Sequence, residues 1–65
     1  MKLWIGRDDY GLWLFVKKPV KSIIYGDIYF IKRGNISYSI DSNLFPEVTS
    51  ENSPQEVELK LVKEE

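Results

Sequence analysis

The chain has 65 residues, a formal charge of −1, 43% hydrophobic and 14% aromatic residues, and neither cysteine nor histidine. That length holds one small domain, residues 1–65, burying only about 60% of the surface its unfolded chain exposes. The composition excludes a disulfide framework, a structural zinc site and every Ser-His-Asp or Cys-His catalytic constellation.

Ordering such a chain costs roughly 1.5 kcal/mol per residue, so apolar burial leaves a thin margin and a second subunit is a natural support. No run approaches the roughly 18 apolar residues of a membrane span. The opening MKLWIGRDD has no apolar core of a signal peptide, so a soluble cytoplasmic protein without a membrane partner is expected. Lack of cysteine fits a reducing compartment, and the sequon at Asn35-Ile36-Ser37 then carries no meaning.

In chain order, Lys2 to Ile5 alternates apolar and other residues and predicts a first strand near 2–6, followed by a turn over Gly6–Gly11, where Asp8, Asp9 and the glycines favour turn geometry. Gly11 to Lys18 carries the strongest strand signal. Leu12, Leu14 and Val16 point one way, Trp13 and Phe15 the other, so both faces are apolar. Lys17-Lys18-Pro19 ends it.

Val20–Tyr25 is ambiguous between an irregular connection and a short strand. Residues 27–33 and 36–41 alternate clearly on either side of the turn-forming Gly34-Asn35 and predict a second hairpin. Residues 42–55 have no period and read as a long loop anchored by Leu44, Phe45 and Val48. Residues 56–63 alternate Val57, Leu59 and Leu61 with charged residues, which predicts a last strand, and Glu64-Glu65 reads as a frayed end. The expected fold is all-β, with about five antiparallel strands in a curved sheet or small open barrel.

Charge is divided along the chain. Residues 1–40 hold seven Lys/Arg and three Asp, or +4, and residues 41–65 hold two Lys and seven Asp/Glu, or −5. Pairing of an acidic last strand with a more basic earlier one accounts for this simply.

Two segments, KLWIGRDDYGLWLFVKKPVK at Lys2–Lys21 and LFPEVTSENSPQEVELKLV at Leu44–Val62, resemble the ends of short proteins of bacterial and bacteriophage genomes. Those proteins open on a KLWIARD…G.L.L…KP pattern and close on LFPEVT.E..P.EVEL. The resemblance covers about 39 of the 65 residues and leaves the middle out. It implies a small β-rich domain from a genomic or mobile element, with a binding or inhibitory role. It implies no catalytic residue.

The carboxylates Asp8, Asp9, Asp27, Asp41 and Glu47 are the remaining acid–base or Mg²⁺ candidates. The first two sit in a turn and the others are scattered, so no enzyme activity, catalytic residue, metal or cofactor is expected. A single-stranded nucleic-acid binder could stack bases on Trp4, Trp13, Phe15 and Tyr29 and meet phosphates with Lys2, Lys17, Lys18, Lys21, Lys32 and Arg33, although the net acidity disfavours it.

The same residues serve a protein-interaction module better. With Leu3, Ile5, Leu12, Leu14, Val16, Ile28, Phe30, Ile36, Tyr38, Ile40, Val57, Leu59 and Leu61 as the main core, Trp4, Trp13, Phe15, Tyr29 and Ile31 form a second face. Either residues 20–26 and 42–55 cover that face, or it is an exposed aromatic patch rimmed by Lys17 and Arg33 that binds another protein or a second copy in a homodimer.

Overall fold

A computed structural model of the chain describes residues 1–62. Among them there is no helix, and six strands follow in order: β1 Lys2–Asp8, β2 Gly11–Phe15, β3 Val20–Ile24, β4 Asp27–Ile31, β5 Ser37–Ile40 and β6 Gln55–Glu58. The fold is all-β. A four-stranded antiparallel sheet is ordered β5-β2-β1-β6, a separate hairpin joins β3 and β4, and neither closes into a barrel.

The first hairpin is tighter than the sequence predicts. Asp8 pairs with Gly11, so β1 runs on to Asp8 and only Asp9 and Tyr10 form the turn. One carboxylate makes this possible. Asp8 Oδ1 accepts from the Tyr10 backbone N–H at 2.8 Å, the Gly11 N–H at 3.1 Å and the Trp13 indole Nε1–H at 2.9 Å. A side chain that collects the turn's own donors replaces the longer loop that two adjacent aspartates suggest.

The ambiguous 20–25 segment is a strand, and its partner corrects the expected pairing. Residues 28–41 are not a hairpin: β4 pairs with β3 across the two-residue turn Tyr25-Gly26, and β5 pairs with β2. Tyr25 (φ 52°) and Gly26 (φ 83°) are both left-handed, the requirement of a type I′ hairpin turn. Gly34-Asn35 makes a wider connection. The Asn35 Oδ1 accepts from the Lys17 N–H at 2.9 Å and its Nδ2 donates to the Lys17 carbonyl at 2.7 Å, which steers the chain beside β2.

The four-stranded sheet is covered on both faces, by different elements. On one face the β3–β4 hairpin sets Phe30 against Phe15, ring centroids 5.3 Å apart at 62°. On the other face Val48, from the 42–54 loop, packs on Ile5 and Leu12, with Ile40 and Val57 alongside. The hairpin and the loop thus divide the covering task that sequence reasoning gave to both together.

The buried apolar residues are Leu3, Ile5, Leu12, Phe15, Phe30 and Val48. Phe15, on the second face that sequence leaves either covered or exposed as a binding patch, is 0% exposed, so it is a core residue and not part of a patch. Ile36, Tyr38, Leu59 and Leu61, placed in the core, are exposed. Tyr38 lies opposite Leu14 on a face that the 42–54 loop covers only in part, and Ile36, Leu59 and Leu61 lie beyond the ends of β5 and β6.

The regular pairing of β6 ends at Glu58, although Leu59 still donates its N–H to the Met1 carbonyl at 2.7 Å. The remainder of the predicted 56–63 strand is not strand through residue 62, and Lys63 with the Glu64-Glu65 end lies outside the described residues. Among the described residues the charge division is met by one cross-strand ion pair, Lys2–Glu56 at 3.3 Å, exposed enough to contribute little.

Candidate functional site

Arg7 decides where the 42–54 loop lies. It occupies the face of β1 shared by Leu3 and Ile5, a position where an apolar side chain would continue the core. Its guanidinium instead binds backbone carbonyls: Nε donates to Val48 at 2.6 Å, Nη1 to Ser42 at 2.8 Å, and Nη2 to Leu44 at 3.1 Å and Phe45 at 3.3 Å. A planar fork with several fixed donors suits this task. Behind it, the Arg7 backbone N–H donates to Ser53 Oγ at 3.2 Å, and the Ser53 hydroxyl donates to the Arg7 carbonyl at 3.3 Å. Ser53 so extends the β1–β6 pairing by one side chain.

The loop is also braced from within. The Asn43 N–H donates to Asp41 Oδ1 at 2.9 Å, the Leu44 N–H to the Asp41 carbonyl at 3.0 Å, and the Val48 N–H to the Phe45 carbonyl at 2.9 Å. Lys21, from β3, donates to the Ser50 carbonyl and, at 3.3 Å, to that of Glu51.

Between this braced loop and the sheet lies an apolar groove of about 350 Å³. Leu3, Ile5, Leu14, Ile40 and Val57 form its floor; Leu44, Phe45, Glu58 and Leu59 form its rim. Phe45 stands at the rim with φ 48°, a left-handed conformation that costs a bulky residue on the order of 1–2 kcal/mol. Glu58 is the one charged lining residue. Such a wall offers apolar contact and no acid, base or nucleophile arrangement. Among the described residues, no group of three or more Asp or Glu is placed to hold a metal ion.

The residues singled out from sequence do not meet in one patch. Trp13 is half-buried; its indole N–H is bound to Asp8, and Lys32 Nζ stands 3.4 Å from a ring centroid. Trp4 is half-buried with Lys18 Nζ at 5.3 Å from its ring. Phe15 lies beneath Phe30 in the core. Tyr29 and Ile31 alternate with Phe30 along β4, which puts them on the hairpin's other face, away from Trp4 and Trp13. Lys17 and Arg33 are exposed.

The carboxylates are structural or isolated. Asp8 holds the first turn, Asp9 Oδ2 accepts from the Ile28 N–H at 2.9 Å, and Asp41 braces its own loop. Asp27 and Glu47 are exposed.

Sequence reasoning missed the groove because it assigned Leu44, Phe45 and Leu59 to the core. One signal was present: Leu44-Phe45-Pro46, two large apolar residues in a loop and halted by a proline. No protein-family model matches the chain, and neither a curated protein nor a solved structure matches it.

Proposed function

We propose that the chain is a non-catalytic protein-interaction module, self-associating or bound to another protein, whose binding surface is the apolar groove. The observation that carries this reading is the groove's rim. Leu44, Phe45 and Leu59 are each about half exposed beside a sheet floor that a 65-residue domain could otherwise have closed. Exposed apolar surface of this kind, on a frame rigidified by Arg7, is the pattern of a docking surface.

A role for a mobile-element protein in inhibiting a host factor rests on the sequence resemblance alone. The second reading, single-stranded nucleic-acid binding, draws on the basic residues Lys17, Lys18, Lys32 and Arg33. It is weaker because lysines stand over both tryptophan rings that would have to stack bases.

A photo-crosslinking phenylalanine analogue in place of Leu44 tests the groove. Covalent adducts with polypeptide are expected, and they are expected to vanish when Leu14→Asp is added. No polypeptide adduct, together with salt-dependent binding of oligonucleotides, would overturn the proposal in favour of the second reading.

A further inference from the structure

We infer that a second copy of this chain pairs with the outer edge of β6, antiparallel and centred on Leu59. The inference rests on the reading of the chain as a self-associating module and names the surface through which it does so.

Three observations lead there. β6 is an outer strand of the four-stranded sheet, paired with β1 on one side, and no other described strand lies against its far edge. An open edge of this kind presents backbone donors and acceptors to a partner strand. Next to it, the apolar side chains Leu59, Leu61 and Val62 are 59%, 85% and 83% exposed. Finally, the charges on this segment favour one register among those centred between Val57 and Lys60.

The register follows from the backbone. Leu59 exchanges hydrogen bonds with Met1: its N–H donates to the Met1 carbonyl at 2.7 Å, and the Met1 amino group donates to the Leu59 carbonyl at 3.2 Å. In an antiparallel ladder the bonded residues alternate. Val57 and Leu59 therefore turn their backbone groups toward β1, and Glu56 and Glu58 turn theirs outward.

A twofold pairing on the outer edge must join residues that share a sheet face, and four such pairings have their centre between Val57 and Lys60. Centred on Val57, it opposes Glu56 and Glu58 of the two copies. Centred on Glu58, it opposes that residue to itself, and centred on Lys60 it opposes two lysines. Centred on Leu59, it sets Glu58 against Lys60 of the second copy, twice, with no like charges opposed. Opposite charges across strands favour pairing and like charges disfavour it.

Within one copy Glu58 and Lys60 meet at 3.8 Å on the exposed surface, a loose contact that the new ladder exchanges for pairs across the two copies. Leu59 then faces Leu59 of the second copy in a non-hydrogen-bonded pair, and Leu61 of the second copy faces Val57, a residue of the groove floor. The two grooves come to share one apolar strip. The other outer strand of this sheet, β5, has the sequence SYSI and carries no charge to set a register.

Because the chain has no cysteine, one introduced thiol reports by itself. Leu59→Cys in the full chain is expected to form a disulfide dimer efficiently under mild oxidation, since non-hydrogen-bonded cross-strand pairs lie about 4.5 Å apart at Cα, within disulfide reach. Val57→Cys, which reports the alternative register, and Ser39→Cys, which reports pairing through β5, are expected to form little. In sedimentation equilibrium, Lys60→Glu is expected to weaken the dimer about tenfold, as two cross-strand pairs turn repulsive. Adding Glu58→Lys is expected to restore it.

Ser39, Glu58, Leu59 and Lys60 are exposed and Val57 is half-buried against the core, so circular dichroism is recorded for each variant to certify its fold. A wild-type chain monomeric at every concentration, an indifferent Lys60→Glu, or preferential crosslinking through Ser39→Cys would overturn the inference. If polypeptide still crosslinks at position 44 in that case, the groove reading stands without the β6 pairing. If Leu59→Cys dimerises while position 44 crosslinks nothing, the pairing stands without the groove.

Discussion

Gly6 lies directly beneath the ring of Phe30: a Cβ built on Gly6 would stand 2.5 Å from Cζ and 2.7 Å from Cε2 of that ring. The absence of a side chain in the middle of β1 is what lets the β3–β4 hairpin close on the sheet and seal Phe15. Phe30 is buried and packed edge-on against Phe15, so its ring has little room to retreat. Gly6→Ala is therefore expected to destabilise the chain by about 1–3 kcal/mol, the usual cost of overpacking. An alanine in an unstrained strand position would normally stabilise by roughly 0.4–1 kcal/mol through the unfolded state. Urea denaturation gives the sign, and a raised midpoint would refute the close approach.

Arg7→Lys separates charge from geometry. A lysine keeps the positive charge but replaces a planar fork with a single flexible ammonium, which cannot reach the carbonyls of Ser42, Leu44, Phe45 and Val48 together. The expected loss is about 2–3 kcal/mol, since several charge-assisted bonds go at once. Limited proteolysis should cut the 42–54 loop faster than in the wild type. An unchanged midpoint with an unchanged cleavage rate would show that the loop holds its place without the guanidinium.

Local patterning made most strands legible, because alternation over four or five residues is a property of the segment itself. It supplied the pairing of β1 with β2 across a short turn, but not the partners of β4 and β5. Whether β4 pairs with β3 or with β5 depends on which turn is tighter, and Tyr25-Gly26 is a poor turn signal because tyrosine rarely takes a positive φ. The site was less legible still. An arginine in an apolar stripe, Arg7, was read as part of a turn, and the groove exists only because the loop it tethers stops short of the sheet edge. Alternation identified an apolar face; it could not say how much of that face the 42–54 loop would cover.

Tyr25 offers a test of the second hairpin. Its side chain is fully exposed, so replacing it removes no packing, while its backbone sits at φ 52°. Asparagine tolerates that conformation and forms, with Gly26, the Asn-Gly pair preferred in type I′ turns. Tyr25→Asn is expected to raise stability by about 1 kcal/mol without altering the denaturant slope. Tyr25→Val, β-branched and ill-suited to a positive φ, is expected to lower it. Equal midpoints for the two variants would mean that β3 and β4 are not joined by this turn.

Phe45 combines the strain and the exposed surface of the groove rim. It holds φ 48° immediately before Pro46, a neighbour that favours extended backbone in the residue preceding it. Comparing two truncations isolates the backbone cost. Phe45→Ala removes the ring and keeps a Cβ in the left-handed region; Phe45→Gly removes the ring and the penalty together. The glycine variant is expected to be more stable than the alanine variant by about 1 kcal/mol, the reverse of their order in ordinary backbone. Both are expected to lose polypeptide crosslinking at position 44 to a similar degree, because both lack the aromatic wall. If the glycine variant is the less stable, the left-handed placement of Phe45 is wrong. If crosslinking survives in both, the partner contacts the floor of the groove and not its rim.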